Sequence, residues 1–170
     1  MNRNTKKLLL CLGLPLAVGG LAALVTGDGM KAFASLNQPP LSPPGWLFPV
    51  VWTVLYLMMG WASFRVLVSG KPEGEKKRAL GLYGLQLLAN FLWPVLFFGL
   101  SWYLVSFFWL VVLWALVFRT MLAFSRLESI AGDLLFPYLL WTTFAGYLNF
   151  GVYVLNSQDH RLSRWLALAL

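Results

Sequence analysis

Apolar and polar positions along the chain alternate on a long scale. Apolar runs cover about residues 8–25, 46–68, 79–99, 102–124 and 134–155, separated by polar breaks. Each run is near the roughly 17 to 25 residues a helix needs to cross the hydrocarbon core of a bilayer. Inside the runs only Arg65 and Arg119 carry a formal charge, both within a turn or two of an end, where a long side chain reaches the interface. The pattern predicts an all-α integral membrane protein. It is expected to be one five-transmembrane-helix bundle occupying 1–170, with a long ordered loop between the first and second helices.

The breaks are unequal. Residues 26–45 form the long connection, which carries four prolines in the six positions Pro39 to Pro44 and then runs into a tryptophan-bearing apolar stretch. The third and fourth runs are joined only around Leu100 and Ser101, which makes them antiparallel neighbours. No internal repeat is visible, so an inverted-repeat carrier architecture has no support.

Composition agrees with a chain whose solvent is lipid: 170 residues, 59% hydrophobic and 11% charged, with a mean hydropathy of +0.72. The first run follows Arg3, Lys6 and Lys7, but it is too long for a signal-peptide core and has no convincing cleavage site, so it is read as a retained helix. With five spans, one side holds Arg3, Lys6, Lys7, Arg65, Lys71, Lys76, Lys77, Arg78, Arg119 and Arg126, ten in all. The other holds Lys31, Arg161 and Arg164, three in all. For a bacterial cell membrane, the expected location, that asymmetry predicts a cytoplasmic N-terminus. The net charge of +7 is mostly topogenic, and nucleic acid is not expected as a partner.

Polar side chains within the runs are few and patterned. Gln86, Asn90 and Trp93 fall on one face of the third run, and Pro94 interrupts the backbone hydrogen bonding there. The face is a candidate cavity wall, and its amides are also suited to interhelical hydrogen bonds; the two readings are compatible. In the fifth run Trp141, Ala145, Leu148 and Asn149 share a stripe, and in the second Trp52, Tyr56 and Met59 do. Asn149 is an amide that is costly in lipid without a partner. Trp46 and Trp102 sit at interface positions.

All six acids lie outside the runs, and the one histidine, His160, is in the C-terminal tail. Cys11 is the only cysteine and is expected to be inert packing. Proton-coupled transport and acid/base hydrolysis therefore lack their usual groups, and a resident metal or haem lacks ligands. Neither a metal nor a cofactor is expected. An apolar, tryptophan-rich interior with a few amides suits a flat apolar ligand with a small number of polar edges.

Three stretches, "QPPLSPPGWLFPVVWTVLYLMMG", "QLLANFLWPVLFFG" and "PYLLWTTFAGYLNF", occur in this order. Together with the five runs they resemble the translocator protein family, the TspO or tryptophan-rich sensory proteins, also called peripheral-type benzodiazepine receptors. The resemblance covers essentially the whole chain. It implies a five-helix bundle, usually a homodimer, whose ligand pocket opens near the long first loop. The proline-rich stretch would then be the stiffened end of a lid. The implied ligands are tetrapyrroles such as protoporphyrin, sterols such as cholesterol, and synthetic benzodiazepine-type compounds.

By the same resemblance, Phe33 stands at the loop aromatic, Trp52 at the helix 2 tryptophan, Asn90 at the helix 3 asparagine, Trp141 and Ala145 at helix 5 pocket positions, and Asn149 in the LN motif. Tyr56, Gln86 and Trp93 join them as ligand-lining candidates. Ala32 and Leu41 stand where relatives often have tryptophan, and Gln38 where they have lysine, which leaves a less aromatic, less charged lid. The sterol pattern at the end of the fifth helix is absent, because seven residues separate Tyr153 from Arg161. The expected function is a membrane receptor or sensor binding tetrapyrroles, and possible sterols, in an aromatic pocket under the 26–45 loop. The alternatives are light-dependent porphyrin breakdown, with Trp52 and Trp141 as the candidate reactive residues, and transport of porphyrin or lipid.

Overall fold

The computed structural model describes residues 2–27 and 29–168, with the backbone alone described for Met30, Ala32 and residues 158–168. Asp28 and the side chains of Ala32, Asp159, His160, Arg161 and Arg164, on which several sequence expectations fall, lie outside the described residues.

Every regular element among the described residues is a helix, with no strand. α1 spans Arg3–Thr26, α2 Gly29–Ala34, α3 Leu47–Val68, α4 Glu73–Pro94, α5 Tyr103–Leu127, α6 Ser129–Asp133 and α7 Phe136–Leu168. A π-helical turn, Val95–Gly99, continues α4. Five of these helices are long. By length and composition, α1, α3, α4 with its π turn, and α5 can each cross a membrane. The sequence pattern misses the first and last turns of several helices because charge masks them. α1 begins at Arg3, α4 at Glu73, and α7 continues past 155 into its charged tail.

The π turn follows Pro94 directly, with wider closures than an α-helix: Leu100 N donates to Val95 O (2.9 Å) and Trp102 N to Leu96 O (3.0 Å). Ser101 then adopts a positive φ of 55°, which reverses the chain tightly into α5. α4 and α5 pack along each other, as their short join demands.

The bundle is an open ring. α3 packs along α1, α1 against α4, α4 along α5, and α5 along α7. The α1–α3 contact is very close at Gly60, where an added Cβ would lie 2.7 Å from both Cys11 O and Leu12 Cα. α7 and α3 face each other across the remaining gap and meet through aromatic side chains.

Near the end of α3, Arg65 also has a partner the sequence pattern did not reveal. Its Nε and Nη2 donate to Glu128 Oε2 (2.7 Å) and Oε1 (2.8 Å), a bidentate pair that ties the end of α3 to the α5–α6 corner. Glu128 also caps α6 by accepting from Ala131 N (2.8 Å).

Candidate functional site

The site candidates divide between two places in the bundle. In the gap between α3 and α7, Trp52 lies 5.5 Å from the Tyr56 ring and 6.0 Å, edge-on, from Tyr138. Phe48 meets Trp141 at 6.0 Å in the same geometry. Trp52 and Trp141 are half-buried, whereas Tyr56, Asn90 and Tyr138 behind them are buried. Tyr56 Oη donates to Asn90 Oδ1 (2.9 Å), and Asn90 Nδ2 donates to Tyr138 Oη (2.8 Å). One amide thus bridges two phenols from different helices. α1 makes room for this layer, since a Cβ on Gly19 would collide with the Tyr56 ring.

Trp93 and Asn149 occupy the second place, on the α4–α5–α7 side. Trp93 Nε1 donates to Asn149 Oδ1 (3.1 Å), and Asn149 Nδ2 donates to the Tyr103 carbonyl (2.7 Å). The Ser106 hydroxyl is a donor shared between Asn149 Oδ1 (3.1 Å) and Tyr103 O (2.9 Å). Asn149 therefore has its partners within the bundle and holds three helices together. The interhelical bonding expected of the amide face is present in Asn90 and Asn149. Gln86 faces α3, with Nε2 3.7 Å from Met59 Sδ, and Ala145 is buried on α7.

The long loop closes the end of the bundle. Phe33 on α2 is 5% exposed and sits edge-on to Phe48 (5.8 Å) and Phe98 (6.1 Å), with Phe97 at 6.0 Å. Phe48 touches both Phe33 and Trp141, so it links the underside of the loop to the α3–α7 gap. Outside Trp141 a lipid-facing groove of about 490 Å³ runs between α3 and α7, lined by Val50, Val54, Met58, Leu140 and Phe144 among others. A second groove, of about 540 Å³, lies between α5 and α7 beside Trp114 and Tyr147.

The structure thus brings together Phe33, Trp52, Tyr56, Asn90 and Trp141; Trp93 joins them through Phe97 (5.4 Å) and Phe98 (5.9 Å), which also touch Phe33, while its N–H and Asn149 belong to a separate hydrogen-bond network. It adds Phe48 and Tyr138, which sequence reasoning missed. Both stand in the quoted motifs, Phe48 four residues before Trp52 and Tyr138 three before Trp141. Helical spacing to the chosen tryptophans was the signal available for both.

A helical membrane bundle with an aromatic seam between two helices, closed at one end by an ordered loop, is the class defined by these elements. The sequence profile of the TspO/MBR family matches residues 11–155, and the chain belongs to that family. It is 41% identical to the tryptophan-rich protein TspO of Chlorobaculum tepidum over 157 residues, 92% of this chain and 99% of that one. It is 37% identical to the translocator protein of Bos taurus over 156 residues, 89% and 88% of the two chains. To the tryptophan-rich sensory protein of Cereibacter sphaeroides it is 40% identical over 138 residues, 79% and 85% of the two chains.

Proposed function

We propose that the chain is a membrane receptor or sensor that binds a flat, largely apolar ligand of the tetrapyrrole class between α3 and α7, beneath the loop. The carrying observation is the pair of half-buried tryptophans, Trp52 and Trp141, flanking a seam backed by the Tyr56–Asn90–Tyr138 hydrogen bonds. Tryptophan faces stack on a macrocycle, while the bridged amide and phenols offer polar contacts to its edge. Because rings join α3 to α7 here, a planar ligand can replace ring contacts with ring contacts as it enters. Sterols are the second ligand class, matching the apolar walls but using the polar groups less fully.

Titration of the detergent-solubilised protein with protoporphyrin in the dark, read by tryptophan quenching, tests this. Saturable quenching that weakens at least tenfold in Trp52→Phe/Trp141→Phe supports the seam. Equal affinity in the double variant removes it.

A second reading, light-dependent breakdown of bound porphyrin, draws on the contact of Trp52 with two tyrosine rings. An excited macrocycle stacked on Trp52 would have an electron donor with further donors behind it. A porphyrin product that forms only under light and with dioxygen, and is lost in Trp52→Phe, separates breakdown from binding alone.

For the assembly we propose five spans including α7, a cytoplasmic N-terminus and a homodimer in a bacterial cell membrane. The ten basic residues on the N-terminal side support the orientation. A topology reporter placed after residue 72 is expected on the cytoplasmic side.

A further inference from the structure

The loop does more than cover the bundle: it is fastened to one helix at three points. Asn37 N donates to Asn156 Oδ1 (3.0 Å), and Asn156 Nδ2 donates back to Asn37 O (2.9 Å). One α7 side chain therefore pairs with both backbone groups of a loop residue 119 positions away. Five residues earlier on α7, Pro39 is buried against Gly151, where an added Cβ would lie 2.6 Å from the proline Cβ. Another turn back, Tyr147 Oη donates to Pro40 O (2.8 Å). The three contacts fall between positions 147 and 156 of α7, where Tyr147 and Gly151 share a side and Asn156 lies round the helix from them, and residues 37, 39 and 40 meet them in antiparallel order.

Immediately after the fastened segment, Leu41 has a φ of 66°. A side chain with a Cβ adopts that conformation at a cost, and Leu41 is 82% exposed, so no packing of its own offsets it. Ser42 holds the turn locally, donating from N (3.3 Å) and Oγ (2.8 Å) to Pro39 O. Strain on one side and fastenings on the other describe a segment with two available states.

We propose that Asn156, Gly151 and Tyr147 form a latch that holds the loop closed against backbone strain at Leu41, and that opening of this latch gates access to the α3–α7 seam. The gating half rests on the proposed ligand site; the latch itself does not. Opening frees residues 37–41 from α7, relieves Leu41, and lets Phe33 leave Phe48, the residue that also touches Trp141. Asn156 acts here as a gate residue and makes no contact with ligand.

Two substitutions push the equilibrium in opposite directions. Asn156→Ala removes both hydrogen bonds to Asn37. Leu41→Asn keeps an exposed side chain but favours the positive φ, since asparagine tolerates that region far better than leucine. Hydrogen exchange of peptides covering 29–42 in the full-length protein, without ligand, reads the latch directly. Exchange is expected to rise about five- to tenfold in Asn156→Ala, the effect of losing a hydrogen-bond pair, and to fall in Leu41→Asn. Peptides from α4 and α5 report whether the fold is intact and are expected to be unchanged.

Stopped-flow quenching with protoporphyrin reads the gate. Association and dissociation are both expected to quicken in Asn156→Ala and to slow in Leu41→Asn. Unchanged exchange in the 29–42 peptides of Asn156→Ala overturns the latch. Altered exchange with unaltered porphyrin rates in both variants overturns the gating. Altered exchange in a protein that binds no porphyrin leaves the latch standing and removes the ligand reading instead.

Discussion

At the scale of single residues, side chains with similar sequence signatures have different uses. Asn90 and Asn149 are both amides in apolar helices, and sequence reasoning grouped them as pocket residues. In the structure Asn90 bridges Tyr56 and Tyr138 beside the seam, whereas Asn149 collects Trp93, Ser106 and Tyr103 on the far side. Replacing Asn149 with leucine is therefore expected to act on stability. It removes the acceptor of the buried Trp93 N–H, costing about 1–3 kcal/mol. A thermal melt in detergent should show that loss, while the porphyrin affinity of the folded fraction stays within about twofold of wild type. That an asparagine here needs a partner was legible from lipid chemistry alone. Which partner it takes was not, because Ser106 and Tyr103 belong to another helix whose rotation about its axis the sequence pattern leaves free.

At the scale of elements, the long apolar runs announced the long helices, and Pro94 marked where α4 changes character. Their charged ends were hidden by the same criterion that found their centres. Pairings between distant elements were invisible for a different reason. Arg65 and Glu128 are 63 positions apart, and each alone reads as a solvated charge near a helix end. Joined, they fasten α3 to the α5–α6 corner. Arg65 donates to both carboxylate oxygens, and this hydrogen bonding holds the Glu128 carboxyl below its ordinary range, with the Ala131 N–H adding to the effect. Because the folded-state value is the lower one, the pair's contribution to stability is complete above the unfolded-state carboxylate value of roughly 4.3 and is lost as the pH falls through the folded one. Melting temperatures of wild type and Glu128→Gln should accordingly differ most near neutral pH and converge as the solution is acidified below about pH 4. A constant difference across that range would assign the effect of Glu128 to something other than its charge.

At the scale of the whole molecule, neighbouring helices in the ring pack along one another except α7 and α3, where aromatic side chains span the gap. The closing loop is fastened to α7, one wall of that gap, and its Phe33 reaches Phe48 on the other wall. The proposed ligand site and the loop fastenings thus share the same pair of helices. The membrane-bundle class was legible in the hydrophobic pattern, and the aromatic motifs singled out the tryptophans that line the α3–α7 gap. The position of the opening was not legible, since it depends on which two of five helices stay apart. The most direct measurement is photo-crosslinking with a protoporphyrin carrying a diazirine on one propionate, followed by mass spectrometry of the labelled peptides. The two grooves on either side of α7 make the result decisive. Label on residues 48–56 of α3 and 137–145 of α7, displaced by unmodified protoporphyrin, is the expected result. Displaceable label confined to the α5–α7 groove around Val111, Trp114 and Phe150 would contradict a ligand site between α3 and α7.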